Sequence, residues 1–334
     1  MINICICGYF GFNNFGDEWL LSVLYKLILQ FGEKEKKIFV LYNTKKILKI
    51  NDHLFYIPRL NFKEISKILK ISNTLIFCGG IFQDQTSILS FLYYYTIFLL
   101  GKIFKNKIVI LSTEFIVNKK FSKKMLKFLI KTADIIYVRN EIELKKIKKL
   151  NNKVEFCPDI CLFSERILDD QRIDDIKTIG LVLKKDDVNK KSIVSLCKIL
   201  FGKYELVFIP FHLEEDYKFC LSLVEDIKNC QIRVWDRVEN YKQIFKNIDL
   251  IITSRLHGII VAINLGIPFI CFSEDKKLTN FVYNFSKEVC LLKKFNSENF
   301  NIKTKSILIP LEERLRYKEE IFKKLKLLAY HNYI

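Results

Sequence analysis

The stretch that decides the fold runs from residue 250 to residue 272 and reads "LIITSRLHGIIVAINLGIPFICF". Its apolar run Leu250–Thr253 predicts a buried strand, and the apolar segment His257–Leu265 predicts a helix. Pro268–Phe272 predicts a second buried strand. Strand, helix and strand in this order predict a βαβ unit of a parallel sheet, in which ligands bind at the carboxyl ends of the strands.

The same alternation fills most of the chain in two series, separated by the polar stretch 164–177. It predicts an α/β fold of two Rossmann-like, doubly wound domains around a cleft. We assign an N-terminal domain to residues 1–165, a C-terminal domain to 176–311, and a helix that packs back on the body to 312–334. The other predicted strands are Ile2–Cys7, Lys37–Tyr42, Thr74–Phe77, Lys107–Leu111, Ile135–Val138, Val154–Phe156, Thr178–Leu183, Glu205–Pro210 and Ile232–Trp235. The other predicted helices are Glu18–Phe31, Lys63–Leu69, Ile88–Leu100, Lys119–Thr132, Glu141–Lys149, Ser192–Phe201, Glu215–Lys228, Tyr241–Asn247 and Glu312–Tyr330.

The charge is strongly basic, with a formal net charge of +18 from 55 Lys and Arg against 37 Asp and Glu. Such a surface favours acidic partners, among them phosphorylated substrates and anionic lipid. The lysines, however, are spread along the whole chain, whereas a nucleic-acid footprint is clustered. We therefore expect no nucleic-acid partner, and composition bias remains the simpler account of the charge.

Cysteine spacing and hydropathy indicate the compartment. The ten cysteines mostly lie in apolar runs, with no CxxC pair and no zinc-type Cys/His spacing, which predicts buried thiols in a reducing cytoplasm. The most apolar stretch, Ile88–Leu100, is too short to span a bilayer and predicts a core-facing helix. The strand pattern at Ile2–Cys7 predicts no signal peptide. We expect a cytoplasmic protein with no metal and no cofactor.

The turn after the first predicted strand, "GYFGFNNFGDE", carries three glycines, two asparagines and an acidic pair. Backbone can approach a ligand closely there, and a helix N-terminus follows, which favours anions. The spacing is not GxGxxG, and Asn43 stands where a ribose-binding acid would be expected, so a dinucleotide site is disfavoured. Asp17 fits either an N-cap or a catalytic carboxylate equally well.

The turn "CGGIFQDQTS" follows the strand that ends near Phe77. Polar side chains at a helix start can be plain capping, but two adjacent glycines with this polar group favour a ligand wall. The residues concerned are Gly79, Gly80, Gln83, Asp84 and Ser87.

Two further turns carry the arginines and histidine that we single out. Arg139 ends a buried strand, where its rigid fork suits a carboxylate or phosphate, although a salt bridge to Glu141 or to a nearby helix is a serious alternative. Arg255 and His257 stand with Ser254 where a strand passes into a helix. A lone histidine on an apolar face is usually structural, but beside an arginine at this position it is the sharpest functional signal in the chain.

Together these motifs resemble the polysaccharide pyruvyltransferase family, in particular its CsaB-type branch that modifies bacterial cell-surface polymers. The resemblance rests on "GYFGFNNFGDE", "GGIFQDQTS" followed by "LYYY", "VRNEIEL" and "SRLHGIIVAINLGIP", in that order between residues 8 and 268. It implies a GT-B-like fold, phosphoenolpyruvate as donor, and a sugar or lipid-linked saccharide as acceptor. It leaves peripheral contact with an anionic membrane at the inner face open, through the basic surface and the Lys-rich last helix.

Residue roles are carried over from the resemblance position by position. Arg139, Arg255 and His257 match donor-binding positions, and Asp17 and His257 match catalytic ones, one as acid and the other as base, in either order. The positions matched to the acceptor or to the lining of the cleft are Gly8, Asn14, Gly16, Glu18, Gly79, Gly80, Gln83, Asp84 and Ser87.

The sequence departs from the family pattern at several places. It lacks "YDPK" after the last strand, retaining Asp275–Lys276, and it has "LSTEFI" where a "GxGP" turn is common. Lys184 stands where arginine is frequent, and "VRNE" replaces "VRDE". The acceptor identity therefore stays open. Two rivals remain: a GT-B glycosyltransferase that uses a nucleotide sugar, and a non-enzymatic protein that binds anionic surfaces through its charge.

Overall fold

The computed structural model describes residues 2–31, 35–85, 87–163, 176–185, 190–227, 230–272, 275–283 and 306–334. The chain divides into two compact units. The N-terminal unit comprises Met1–Phe12, Leu20–Ile160 and Glu319–Ile334, and the C-terminal unit comprises Asn13–Trp19 and Cys161–Lys318. Most of the polar stretch 164–177, where we predicted the domain boundary, lies outside the described residues.

The N-terminal unit is built on an eight-stranded sheet. Its strands in sequence are β1 (Ile2–Cys7), β2 (Lys36–Tyr42), β3 (Leu48–Lys49), β4 (Leu54–Pro58), β5 (Thr74–Cys78), β6 (Lys107–Thr113), β7 (Ile135–Val138) and β8 (Val154–Phe156). Their order across the sheet is β3-β4-β2-β1-β5-β6-β7-β8, and all neighbours pair in parallel except β3 and β4. The central strands are buried along nearly their whole length because helices cover the sheet.

The C-terminal unit has a five-stranded, wholly parallel sheet in the order β11-β10-β9-β12-β13. Its strands are β9 (Thr178–Val182), β10 (Glu205–Phe208), β11 (Cys230–Ile232), β12 (Leu250–Thr253) and β13 (Phe269–Cys271). Each sheet thus has its own buried apolar cluster. One largely parallel and one wholly parallel sheet, each with helical crossovers, form two Rossmann-like domains, as the alternating pattern predicted.

The described helices connect these strands. They are α1 (Phe15–Phe31), α2 (Phe62–Ile71), α3 (Ile88–Ile103), α4 (Lys120–Thr132), α5 (Glu141–Ile147), α6 (Lys190–Leu200), α7 (Glu215–Val224), α8 (Tyr241–Ile244), α9 (Leu256–Leu265), α10 (Lys276–Tyr283) and α11 (Leu311–Tyr330). In α11, Ile321, Leu325 and Leu328 are buried, and Lys324 forms an ion pair with Glu155 of β8.

Most predicted elements are present, but one predicted strand is wrong and one hairpin was missed. The prediction of a strand at Ile232–Trp235 is wrong, since β11 ends at Ile232 and Val234 is exposed. Trp235 is buried in a loop, where its Nε1–H donates to the carbonyl of Pro210 at 3.0 Å, so its apolar character does not extend a strand. The hairpin of β3 and β4 was not predicted, because β3 has two residues and no apolar alternation.

The cysteines behave as the sequence predicted. Nine of them lie in the described part of the chain, where none forms a disulfide, and eight of these are buried. Cys290 lies outside the described residues.

Candidate active site

The glycine turn ends at a capped helix start. Gly16 N–H donates to Asn14 Oδ1 at 3.2 Å, and Glu18 N–H donates to the carbonyl of Asn14 at 3.0 Å. Helix α1 therefore begins at Phe15, three residues before the predicted start, because Asn14 supplies the cap. Asp17 lies inside the first turn, so the capping role that we considered for it falls to Asn14.

The first turn of α1 belongs to the C-terminal unit through its backbone. Phe15 N–H donates to the carbonyl of Phe211 at 2.8 Å, and Leu213 N–H donates to the carbonyl of Asn13 at 3.1 Å. The ring of Phe15 also packs on Phe211, with centroids 4.4 Å apart, and on Trp235 at 5.5 Å. These bonds anchor Asn13–Trp19 beside the end of β10, although this segment follows β1 in the chain.

Gly16 lies directly against the His257 ring. A Cβ at Gly16 would come 2.1 Å from Nδ1 of His257, which is far inside van der Waals contact. The ring of Trp19, one helical turn further on, lies 6.4 Å from the imidazole in an edge-on arrangement. Gly16 and His257, about 240 residues apart in the sequence, are therefore in contact within the C-terminal unit, and Asp17 follows Gly16 immediately.

Arg255 precedes α9 at the end of β12 and is held by a buried acid. Its Nη2 donates to Asp216 Oδ1 at 2.5 Å, and Asp216, fully buried in the first turn of α7, also accepts the N–H of His212 at 2.9 Å. The Nε of Arg255 is buried without a hydrogen-bond partner among the described groups. Because Asp216 takes one edge of the guanidinium, this Nε remains as a donor that a ligand could use.

The backbone of this turn is fixed by short hydroxyl bonds. Thr253 Oγ1 donates to the carbonyl of Val182 at 2.9 Å and accepts the N–H of Arg255 at 2.9 Å, while Ser254 Oγ accepts the N–H of Lys184 at 2.7 Å. Gly258 is required by the same turn, because a Cβ there would meet Thr253 Oγ1 at 2.3 Å. These bonds hold the backbone of Arg255 in place directly before the helix that carries His257.

This arrangement is suited to binding an anion. Helix α9 is preceded by Arg255, whose side chain makes no capping bond, so the first N–H groups of the helix and a guanidinium occupy the same end. A helix N-terminus attracts carboxylate or phosphate, and an arginine beside it adds charge and directed donors. The imidazole of His257 adds two ring nitrogens, which can donate or accept hydrogen bonds.

Arg139 lies in the N-terminal unit and is buried in an ion-pair cluster. Its Nη1 donates to Asp159 Oδ2 at 3.0 Å, and its Nη2 lies 3.8 Å from Glu114 Oε2. Arg139 therefore forms a salt bridge, as the alternative had it, but its partners are Asp159 and Glu114. Glu141 is exposed at the start of α5. Burial and the charge of Glu114 raise the pKa of Glu143, in the same cluster, to about 7.

The residues of the second glycine turn have structural roles in the N-terminal unit. Asp84 accepts the N–H groups of Asn118 and Lys119 at 2.8 and 3.0 Å, next to the start of α4. Burial opposes its charge, but these hydrogen bonds hold the pKa of Asp84 below its ordinary value. Ser87 caps α3 by accepting the N–H of Ser90 at 3.2 Å, and Gln83 forms a bridge with Ile116.

The remaining predicted site residues lie in the first and second glycine turns. Gly79 adopts a φ of +89°, which favours glycine, and Gly80 follows it half-buried. Gly8 leaves room for the Phe10 ring, which a Cβ would meet at 2.3 Å. Glu18 is half-buried in the first turn of α1.

Sequence reasoning missed the acids that hold the two arginines. Asp216 opens a helix that the sequence predicted, yet nothing in its local pattern distinguishes it from a surface carboxylate. Asp159 and Glu114 follow predicted strands, so their position at strand ends was the available signal. Charge alone could not show which carboxylate each arginine meets.

Within the described residues, no helix is both long and apolar enough to cross a membrane.

The fold has many relatives among solved structures. UDP-GlcNAc 2-epimerase from Methanocaldococcus jannaschii has 14% identity and a TM-score of 0.57, with 99% of this chain and all of that chain covered. MnaA from S. aureus, solved with UDP, has 11% identity and a TM-score of 0.57, covering 98% and 91%.

The lipopolysaccharide outer core galactosyltransferase WaaB has 15% identity and a TM-score of 0.51, with both chains covered completely. These likenesses define the class: a two-domain, Rossmann-like protein of GT-B-like fold.

No curated protein matches the sequence significantly. A profile of the family "Polysaccharide pyruvyl transferase" matches residues 14–276, which include Asp17, Arg139, Arg255 and His257. The chain belongs to the polysaccharide pyruvyl transferase family, a family of transferases.

Proposed function

We propose that the protein transfers a pyruvyl group from phosphoenolpyruvate to two hydroxyls of a cell-surface polysaccharide or its lipid-linked precursor, as in the CsaB-type branch. The observation that carries the proposal is the position of His257, two residues after Arg255 at the start of α9, with its ring directly against Gly16, the residue before Asp17. Family membership supports pyruvyl transfer, and the helix N-terminus beside Arg255 and His257 is suited to binding an anion.

The donor fits this end of α9 by its charge. Phosphoenolpyruvate carries a carboxylate and a phosphate, and Arg255 with the first N–H groups of α9 supplies donors for such anions. Asp216 orients the guanidinium by accepting from Nη2, so Arg255 needs little reorganisation to bind. For Arg139 the donor-binding role rests on the family resemblance, because Asp159 and Glu114 already neutralise its charge.

The proposed reaction has two stages. A proton from His257 goes to the methylene carbon of phosphoenolpyruvate, which leaves an oxocarbenium-like centre at the adjacent carbon. The first sugar oxygen bonds to that carbon as Asp17 takes the hydroxyl proton, and the roles of the two residues can be exchanged. The carbon–oxygen bond to phosphate then breaks, the second hydroxyl oxygen takes its place, and its proton leaves with inorganic phosphate. The product is a pyruvate ketal.

The acceptor residues are proposed from the resemblance. We assign to the acceptor the two glycine turns, with Gly8, Asn14, Gly16 and Glu18 in the first. The second contributes Gly79, Gly80, Gln83, Asp84 and Ser87. Domain roles follow the same reasoning: the N-terminal domain takes the acceptor and the C-terminal domain takes the donor.

We further propose that the protein works at the cytoplasmic face of the membrane, where a lipid-linked acceptor would be reached. The best support lies on α4, which has five exposed lysines and no acidic residue, with Phe121 and Phe128 exposed among them. Basic residues interleaved with exposed aromatic rings suit an anionic lipid surface. Helix α11 is less suited, because Lys323 and Arg316 pair with its own glutamates.

The test is thermal stabilisation by phosphoenolpyruvate of the wild type, Arg255→Ala and His257→Ala. A rise in Tm for wild type that Arg255→Ala abolishes is the expected result, since a ligand that binds only the folded state stabilises it. Arg316→Ala, an exposed arginine on α11, is the matched control and should keep the full shift. A shift with a nucleotide sugar and none with phosphoenolpyruvate would instead assign the protein to the glycosyltransferases.

A further inference from the structure

Arg59 is a buried cation that the proposed reaction does not use. It follows β4, at the carboxyl end of the strand, and is 9% exposed. Among the described residues no carboxylate lies within ion-pairing distance of its guanidinium, although a charge is costly to bury unless it is paired. An isolated buried arginine therefore needs an explanation that the fold alone does not give.

Aromatic rings surround this guanidinium. Its central carbon lies 4.5 Å from the ring centroid of Tyr93, 4.8 Å from that of Phe12 and 5.6 Å from that of Tyr94. Cation–π contacts of this kind are attractive and offset part of the burial cost. They satisfy no N–H group, however, so the hydrogen-bonding capacity of Arg59 is still to be accounted for.

The hydrogen bonds of Arg59 leave one edge of the guanidinium unused. Nη2 has a long contact of 3.4 Å with the hydroxyl of Tyr94, and Nη1 is buried with no hydrogen-bond partner in the part of the chain that the structure describes. The backbone is meanwhile fixed, because Arg59 N–H donates to the carbonyl of Tyr42 and the hydroxyl of Tyr93 donates to the carbonyl of Arg59. The guanidinium is thus held in place while Nη1 is left for an acceptor.

The surroundings fit a sugar. In the turn after β1, the rings of Tyr9 and Phe12 stack 4.1 Å apart, and both are half-buried. At the end of β2, Tyr42 stacks on Tyr56 at 4.2 Å. Partly exposed aromatic faces offer an apolar surface to the C–H face of a pyranose, while a directed charge fixes its orientation.

The carboxyl ends of β1, β2 and β4, where these groups lie, are also where parallel sheets bind ligands. We propose that Arg59, with Phe12, Tyr93 and Tyr94 around it, binds the oxyanion of an acidic saccharide, the acceptor of the reaction. Its identity as acceptor rests on the proposed function; the binding site itself does not. The oxyanion can be the phosphate of a carrier-linked sugar or the carboxylate of a uronic acid, and both offer oxygen acceptors to Nη1.

Direct binding measurements test this assignment, with glucose 1-phosphate, glucuronate, glucose and inorganic phosphate as probes for calorimetry. We expect wild type to bind at least one acidic sugar ten-fold or more tightly than glucose. Arg59→Gln should abolish that preference and leave the affinity for glucose unchanged. Arg59→Lys keeps the charge but lacks the planar fork, so it should weaken acidic-sugar binding and serves if Arg59→Gln does not fold.

The outcomes separate the alternatives. Binding of the phosphate sugar alone, or of the uronate alone, identifies the source of the oxyanion. Equal affinity for acidic and neutral sugars, a preference that survives in Arg59→Gln, or inorganic phosphate binding as tightly as glucose 1-phosphate would overturn the assignment. Phosphoenolpyruvate is titrated in parallel, and the Arg59 variants should keep wild-type affinity for it. If the wild type does not bind phosphoenolpyruvate, the proposed function is refuted, whereas the acidic-sugar assignment depends only on the sugar titrations.

Discussion

Replacing Gly16 by alanine tests whether the contact between α1 and His257 matters for the reaction. The new Cβ would lie 2.1 Å from Nδ1 of His257, whereas ordinary contacts are about 3.4 Å or more, so the ring or the helix must move by more than 1 Å. Overpacking of this kind costs about 1–3 kcal/mol. Alanine regains about 1 kcal/mol of helix propensity relative to glycine, so the net loss of stability should be about 2 kcal/mol at most.

The effect on activity should be much larger than the effect on stability. A displacement of about 1 Å in a catalytic group can lower the rate about 100-fold, and we expect that loss in phosphate release from phosphoenolpyruvate. Gly101→Ala is the matched control, because its Cβ would meet Leu75 at 2.6 Å in the core of the N-terminal unit. It should lower Tm to a similar extent and leave turnover of the folded enzyme unchanged. Wild-type turnover in Gly16→Ala would refute the reasoning.

Three further predictions concern charge and surface. Burial raises the pKa of Glu143 to about 7, so the folded state retains a proton that the unfolded chain loses above pH 4.5. The free energy of unfolding, measured by urea titration, should therefore fall as the pH rises from 4.5 to 7. It should fall less steeply in Glu143→Gln. Burial lowers the pKa of Lys36 from 10.5 to about 8, so between these values the unfolded chain binds a proton that the folded chain has lost. The free energy of unfolding should therefore rise from pH 8 to pH 10.5. A Lys36→Met variant that keeps the same rise would contradict this. At low salt, vesicles that contain phosphatidylglycerol should sediment the wild-type protein, and they should sediment the double variant Phe121→Ser, Phe128→Ser several-fold less. The control variant Phe322→Ser on α11 should behave as wild type. Equal sedimentation of all three proteins would contradict the role of α4.

The alternation of apolar strands and helices determined the fold class. Strands such as Ile135–Val138 and Leu250–Thr253 were predicted with the bounds that the structure shows, because strands buried on both faces are continuous apolar runs. The family could also be inferred from local motifs, because four of them follow one another in the family's order between residues 8 and 268. Periodicity failed where packing overrides it, as at Trp235, whose burial depends on Phe15 far away in the chain.

Tertiary structure alone decided which of these residues meet. The sequence singled out Gly16, Asp17 and His257, but their proximity depends on Asn13–Trp19 joining the C-terminal unit through Phe211 and Leu213. The partners of the arginines were likewise invisible, because a carboxylate such as Asp216 is identified by its burial and not by its neighbours in sequence. Local patterns are set by short-range sterics and burial, whereas contacts between distant charges follow from how the chain packs.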